Sequence, residues 1–264
     1  MQRRQFLASS LAASAAALAG SATAHSAPPA AAPEFYQLRR YTMTAGAQLR
    51  QTEAFFAQAL LPALGRLGLG PTGAFKVDIG QDIYTYYLLI PSASAAQLAE
   101  LDFTLAADAQ FLAAADGFWN ARASAPAFQR IESSLLRAFA GWPKLTPPAL
   151  SSKTRKIFQL RIYESASNGE HVRKVEMFHA GEFDLFLKAG FHPVFFGDAL
   201  IGPRLPNLHY MLAFNDTAEL EARWNTFRND PAWKRLSSDP RYGFDTIVSN
   251  ISNIFLSPLD CSQI

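Results

Sequence analysis

YQLRRY at Tyr36–Tyr41 and FQLRIY at Phe158–Tyr163 are one strand pattern written twice, and the distance between the copies decides the fold. Gln37 and Gln159 lie 159 − 37 = 122 residues apart. Gly68 and Gly190, Pro71 and Pro193, Leu98 and Leu220, and Asp108 and Asp230 keep the same offset. Five landmarks in one register mark an internal duplication. The period is too long for a solenoid unit and matches a small domain.

Each copy reads as strand, helix, strand, strand, helix, strand. Residues 35–41 and 157–163 alternate apolar and polar with period two. The first copy then predicts helices near 47–67 and 94–114 and strands near 73–79, 83–90 and 131–139. In the second, a helix runs from about Gly169 to Ala189, ended by Gly190 with Pro193 beyond it. Strands follow at 194–201 and 209–214, around the breaker-rich Gly202–Asn207 loop. Asp216 is the expected N-cap of the next helix, with Glu219 completing a capping box. Leu220, Trp224 and Phe227 form its buried face, and a last strand is expected over 246–256. This order is that of a ferredoxin-like unit, whose helices leave one sheet face bare. The expected fold is therefore α+β, two ferredoxin-like repeats covering each other as an intrachain α/β barrel, a pseudo-dimer.

Residues 1–24 fall outside both repeats. Arg3-Arg4 precedes Phe6-Leu7, an Ala-rich run follows, and Ala22-Thr23-Ala24 offers a small-x-small cleavage site. The run is too short for a membrane span, so the segment reads as a twin-arginine signal peptide. It implies handling by the twin-arginine export machinery and a periplasmic or secreted product. Residues 25–33 read as a flexible leader, 34–141 as repeat 1, 142–155 as a linker and 156–264 as repeat 2. The chain carries 24 basic and 22 acidic residues, and two of the Arg lie in the signal segment. That balance gives no electrostatic footprint for nucleic acid or an anionic membrane. A single Cys, Cys261, excludes an intrachain disulfide.

The second repeat contains Tyr210-Met211-Leu212-Ala213-Phe214 and then Trp224-x-x-Phe227-x-x-Asp230-Pro231-x-Trp233-Lys234. These motifs, the opening Gln-Leu-Arg-x-x-Tyr and the ending Leu256-Ser257-Pro258 to Ile264 resemble the NIPSNAP family. The resemblance is strong over 156–264 and weaker over 34–140. There the aromatic motifs are degraded to Leu101, Thr104, Asp108-Ala109 and Phe111. It implies a dimeric α/β-barrel fold without a common reaction, since fold relatives include cofactor-free monooxygenases, isomerases and haem proteins.

Several residues are candidates for chemistry. Gln37, Arg39 and Tyr41, and again Gln159, Arg161 and Tyr163, share the polar face of the first strand of each repeat. If the apolar face packs on the helices, these six point into the barrel and suit an anionic or carbonyl-bearing ligand. A structural network binding the two sheets accounts for the same pattern. Glu182 falls on an apolar helix face with His179 three residues back, a candidate general base and partner. The alternative for Glu182 is an ion pair with a first-strand Arg. Leu60 and Ala57 stand at the matching places of repeat 1, so any chemistry there is one-sided. His209 is a core or rim histidine and a further ligand contact. His171, His179, His192 and His209 match no metal-ligand spacing, and neither a metal nor a cofactor is expected.

Three function classes stay open. The leading one is an exported protein that binds a small molecule in the barrel cavity, with cofactor-free oxygenase or isomerase activity as its catalytic form. The others are a non-catalytic interaction or scaffold protein and a haem or metal binder. A homo-oligomer is compatible with each.

Overall fold

The computed structural model describes residues 32–80, 83–150 and 156–264. The expected signal segment, nearly all of the leader and the last part of the linker lie outside the described residues. The first repeat runs β1 (Phe35–Thr42), α1 (Ala47–Phe55), a π-helical turn (Phe56–Leu60), α2 (Leu61–Arg66), β2 (Gly73–Ile79) and β3 (Thr85–Ser92). It continues through α3 (Ala95–Ala99), α4 (Leu101–Ala106) and α5 (Ala109–Trp119) to β4 (Arg130–Ala138). The second runs β5 (Ile157–Glu164), α6 (Asn168–Met177), a π-helical turn (Phe178–Glu182), α7 (Phe183–Lys188), β6 (His192–Ile201) and β7 (Asn207–Phe214). It ends with α8 (Thr217–Asn229), α9 (Pro231–Ser237), α10 (Phe244–Ile247) and β8 (Asn250–Pro258).

The repeated landmarks have local causes. Gly68 and Gly190 both end helices at positive φ, 70° and 80°, where a Cβ would be strained. Asp108 and Asp230 both cap the next helix, accepting from the backbone N–H of Phe111 and Ala232, and both pair with a cation at the end of an earlier helix, Arg66 of α2 and Lys188 of α7. Asp216 caps α8 by accepting from Glu219 N–H, and Glu219 accepts from Asn215 N–H. The last strand starts at Asn250 rather than Thr246, because Phe244–Ile247 takes a helical turn that buries Ile247 under the helix layer.

The eight strands of the described residues form one closed antiparallel barrel in the order β1-β3-β2-β8-β5-β7-β6-β4. Each repeat supplies a four-stranded sheet, and the halves join at β2–β8, with Val77 opposite Leu256, and at β4–β6, with Leu136 opposite Ala199. Closure leaves no sheet edge unpaired. The interior is an apolar cluster drawn from both repeats: Tyr36, Leu38, Phe75, Tyr87 and Leu136 meet Phe158, Leu160, Phe195, Met211 and Leu256. Linker residues Leu145 and Leu150 pack against it.

The sheets face the opposite way from the sequence expectation. Phe158 and Leu160 point into the barrel, while Gln37, Arg39, Tyr41, Gln159, Arg161 and Tyr163 lie on the helix side. The reason is hydrogen-bond supply. Buried polar side chains need hydrogen-bond partners. The helix layer offers them: Leu98 O, Asp102 and the Trp224 indole all reach the row.

Candidate functional site

In the second repeat Trp224 lies over the polar row, with Gln159 and Tyr163 buried and Arg161 partly exposed. The Gln159 side-chain carbonyl accepts from Trp224 Nε1 at 2.8 Å, and its Nε2 donates to Asn253 at 2.8 Å. Arg161 donates to Tyr163 Oη at 2.8 Å, and its guanidinium carbon lies 4.8 Å from the Trp224 ring centre. Tyr210 Oη donates to Tyr163 Oη at 3.1 Å. Burial pushes the Tyr210 hydroxyl well above its ordinary range, so it stays protonated.

Glu182 is buried as expected, but its partner is neither His179 nor a strand Arg. It pairs with Lys174 at 2.8 Å, both side chains 3% exposed. The wide turn between them, kinked at Gly181 where φ is 150°, brings two residues eight apart onto one line, a relation that an ideal helical wheel hides. His179 turns away from Glu182: Nδ1 donates to Val175 O at 2.9 Å and Nε2 accepts from Gly141 N–H at 3.1 Å. Those two bonds fix a neutral tautomer that ties the end of repeat 1 to the second repeat's helix. The expected acid–base pair is therefore not assembled.

The first repeat keeps the row and opens it. Gln37 Nε2 donates to Leu98 O at 3.2 Å, which orients its carbonyl to accept from Arg39 Nε at 2.9 Å. Arg39 also pairs with Asp102 at 2.9 Å. Burial opposes the Arg39 charge, but Tyr41 and Asp102 beside it hold its pKa above the usual value. Around these groups lies a pocket of about 430 Å³, walled by Phe55, Leu60, Leu105, Phe118, Trp119 and Phe128. The 122-residue offset that matches Arg39 to Arg161 matches Asp102, not Leu101, to Trp224, and Leu105, not Thr104, to Phe227. A short acid thus stands where the second repeat lays an indole over its Arg, and the space is left open.

A second cavity, of about 880 Å³, occupies the barrel end marked by Arg40 and Ile162, away from the packed Tyr36 and Phe158. Its lining includes the Arg40–Glu132 pair at 2.6 Å, together with Tyr87, Ser134, Arg204 and His209. His209 is the one expected ligand residue found inside the barrel, 5% exposed. Asn207 donates its amide to Pro203 O and Arg204 O, so its side-chain oxygen must accept from His209 Nε2, at 2.8 Å. Nδ1 is left as a bare acceptor without a partner among the described residues. Burial, with Arg204 adding to it, pushes the His209 pKa down to about 3.

That shift sets a pH dependence. Unfolded His209 takes up a proton below about 6.5 while the folded one resists it, so its contribution is intact above that pH and lost as pH falls toward 3. Between pH 7 and 5 the loss is about 2 kcal/mol. The stability gap between wild type and His209→Leu, from urea melts at both pH values, should narrow by that amount at pH 5. An unchanged gap would mean that His209 titrates normally.

Among the described residues no group of three His, Cys, Asp or Glu is placed to hold a metal ion, and no described helix is long and apolar enough to cross a membrane.

Comparison with known proteins agrees with this architecture. The NIPSNAP family model matches residues 158–263, so the second repeat is similar to NIPSNAP domains. A provisionally assigned monooxygenase from Fusobacterium nucleatum superposes with a TM-score of 0.57 at 8% identity, over 87% of this chain and 94% of its own. Another, from Lactobacillus acidophilus, gives 0.54 at 10% identity, over 86% and 94%. At such identities these likenesses show the fold alone, a dimeric α+β barrel in one chain. A NIPSNAP-like domain protein from Burkholderia xenovorans is 17% identical over 40% of this chain and 86% of its own, with a TM-score of 0.36. Among curated proteins none matches.

The structure also shows what sequence reasoning missed. Asp102 and the aromatic wall of Phe55, Phe118, Trp119 and Phe128 carry no motif. Only the offset from Trp224 pointed to Asp102.

Proposed function

We propose that this protein binds a small, largely apolar molecule between the sheet and the helices of repeat 1, over Gln37, Arg39 and Tyr41. The observation that carries this reading is Asp102 in the place of Trp224, which leaves about 430 Å³ open above a buried guanidinium. An aromatic pocket of that size with a few convergent polar groups suits a ligand site. The test uses the neutral fluorescent probe N-phenyl-1-naphthylamine. Saturable binding to wild type should disappear in Asp102→Trp, which installs the covering residue of the second repeat. Probe binding that survives the added indole would sink this reading.

A cofactor-free oxygenase or isomerase would use the same pocket, and support for it comes from the fold of the two provisional monooxygenases. A second reading places the ligand in the barrel-end cavity, favoured by the bare His209 Nδ1 as an acceptor for a ligand hydroxyl.

We also propose that the chain is a tandem NIPSNAP-like protein exported by the twin-arginine route, on the strength of Arg3-Arg4 and the Ala22-Thr23-Ala24 site. Changing both Arg3 and Arg4 to Lys should leave the precursor in the cytoplasm on cell fractionation. Normal export of that double variant would exclude the route.

A further inference from the structure

We propose that Asp102 is an internal occupant of the pocket's anion subsite, and that the ligand is an aromatic or acyl monocarboxylate whose own carboxylate displaces it from Arg39. This rests on the ligand site proposed above and adds its chemical class and its latch.

Arg39 is built as a fixed receptor. It is 6% exposed, and its Nε is held by a Gln37 carbonyl that is itself oriented through Leu98 O. A guanidinium whose plane is set this way, with Tyr41 also hydrogen-bonded to it, presents the N–H groups that face Asp102 as a fork that matches a carboxylate. Asp102 is the opposite: its side chain is 61% exposed, and it meets Arg39 through one oxygen. An exposed carboxylate held by a single contact exchanges readily with water. An incoming carboxylate would gain a second parallel bond and release Asp102 to solvent.

The fold does not require this ion pair. Arg161, the equivalent residue, is accommodated by Tyr163 and the Trp224 ring and makes no ion pair among the described residues. An acid at position 102 is therefore an alternative partner for this Arg and, unlike an indole, one that another anion can replace. The charge of the ligand follows from the lining: Arg39 is its only cationic side chain, so a monoanion is matched where a dianion would be left half neutralised. The apolar end follows from the wall, where Phe55 and Phe118 stack at 3.9 Å beside Trp119 and Phe128.

The experiment compares 2-naphthoate with its neutral isostere 2-naphthalenemethanol by isothermal titration at neutral pH. Wild type should bind the acid at least about tenfold more tightly, as a charge-assisted bidentate contact requires. Asp102→Asn removes the competing charge and should tighten the acid severalfold while leaving the alcohol unchanged. Arg39→Met should abolish the preference, and Asp102→Asn, at a side chain 61% exposed, keeps the test decisive if that buried variant folds poorly. Equal affinities for acid and alcohol, both lost in Asp102→Trp, would overturn the carboxylate class but leave the pocket reading standing. A weaker or unchanged acid affinity in Asp102→Asn would overturn the latch. No binding of either compound to wild type would overturn both proposals.

Discussion

Lys174→Met should destabilise the protein by about 3–5 kcal/mol, because it leaves the Glu182 carboxylate buried without its ion-pair partner. The Lys174 ammonium is enclosed by Glu182 at 2.8 Å, Met177 S at 3.5 Å and the Phe178 ring face at 4.4 Å. Removing one partner of such a pair costs more than removing both. Lys174→Met combined with Glu182→Leu should therefore recover most of the loss. Repeat 1 already shows that the architecture tolerates this, since Thr52 and Leu60 stand at the two matching positions. Arg161→Met is the contrasting control. With Tyr163 and Trp224 rather than a carboxylate as partners, it should change stability by within about 1 kcal/mol. Urea denaturation at neutral pH reads all three. A Lys174→Met cost below about 1 kcal/mol would mean that water reaches the pair and the burial is illusory.

Phe158→Ala should cost about 3–5 kcal/mol, the range for deleting a fully buried aromatic ring. Phe158 is 0% exposed inside the barrel, its ring centre 4.8 Å from that of Phe75 in the other repeat. It pairs across the sheet with Ala213 and Leu256, so its loss opens a hole where the two repeats meet. Phe75→Ala should cost a similar amount, and the double variant should cost less than the two together, because the rings share one contact. The measurement decides which face of β5 is the barrel core. If Phe158→Ala costs under about 1.5 kcal/mol, this part of the interior is open rather than packed.

The internal offset of 122 residues established a duplication, and the strand–helix order of each copy gave the ferredoxin-like unit. It follows that two ferredoxin-like sheets, each with one bare face, can only cover each other, and the closed barrel is that solution. Local chemistry was equally legible: the Gly68 and Gly190 helix ends and the Asp108, Asp216 and Asp230 caps are properties of short segments. Alternation along β1 and β5 separated the polar row from the apolar one, because period two is a property of the strand itself.

Which row faces the barrel was decided by tertiary structure alone. Alternation is symmetric between the two faces, and the choice depends on where partners for Gln37, Arg39, Gln159 and Arg161 are found, which is the helix layer. The partner of Glu182 was hidden for a related reason. A helical wheel assumes constant pitch, and the π-helical turn at Phe178–Glu182 shifts the phase so that Lys174, not His179, lies against it. The pocket was hidden as well, because it is an absence, the space left by Asp102 where the other repeat has Trp224. One sequence position can suggest such a space. Only the packing of Phe55, Phe118, Trp119 and Phe128 around it keeps that space from collapsing.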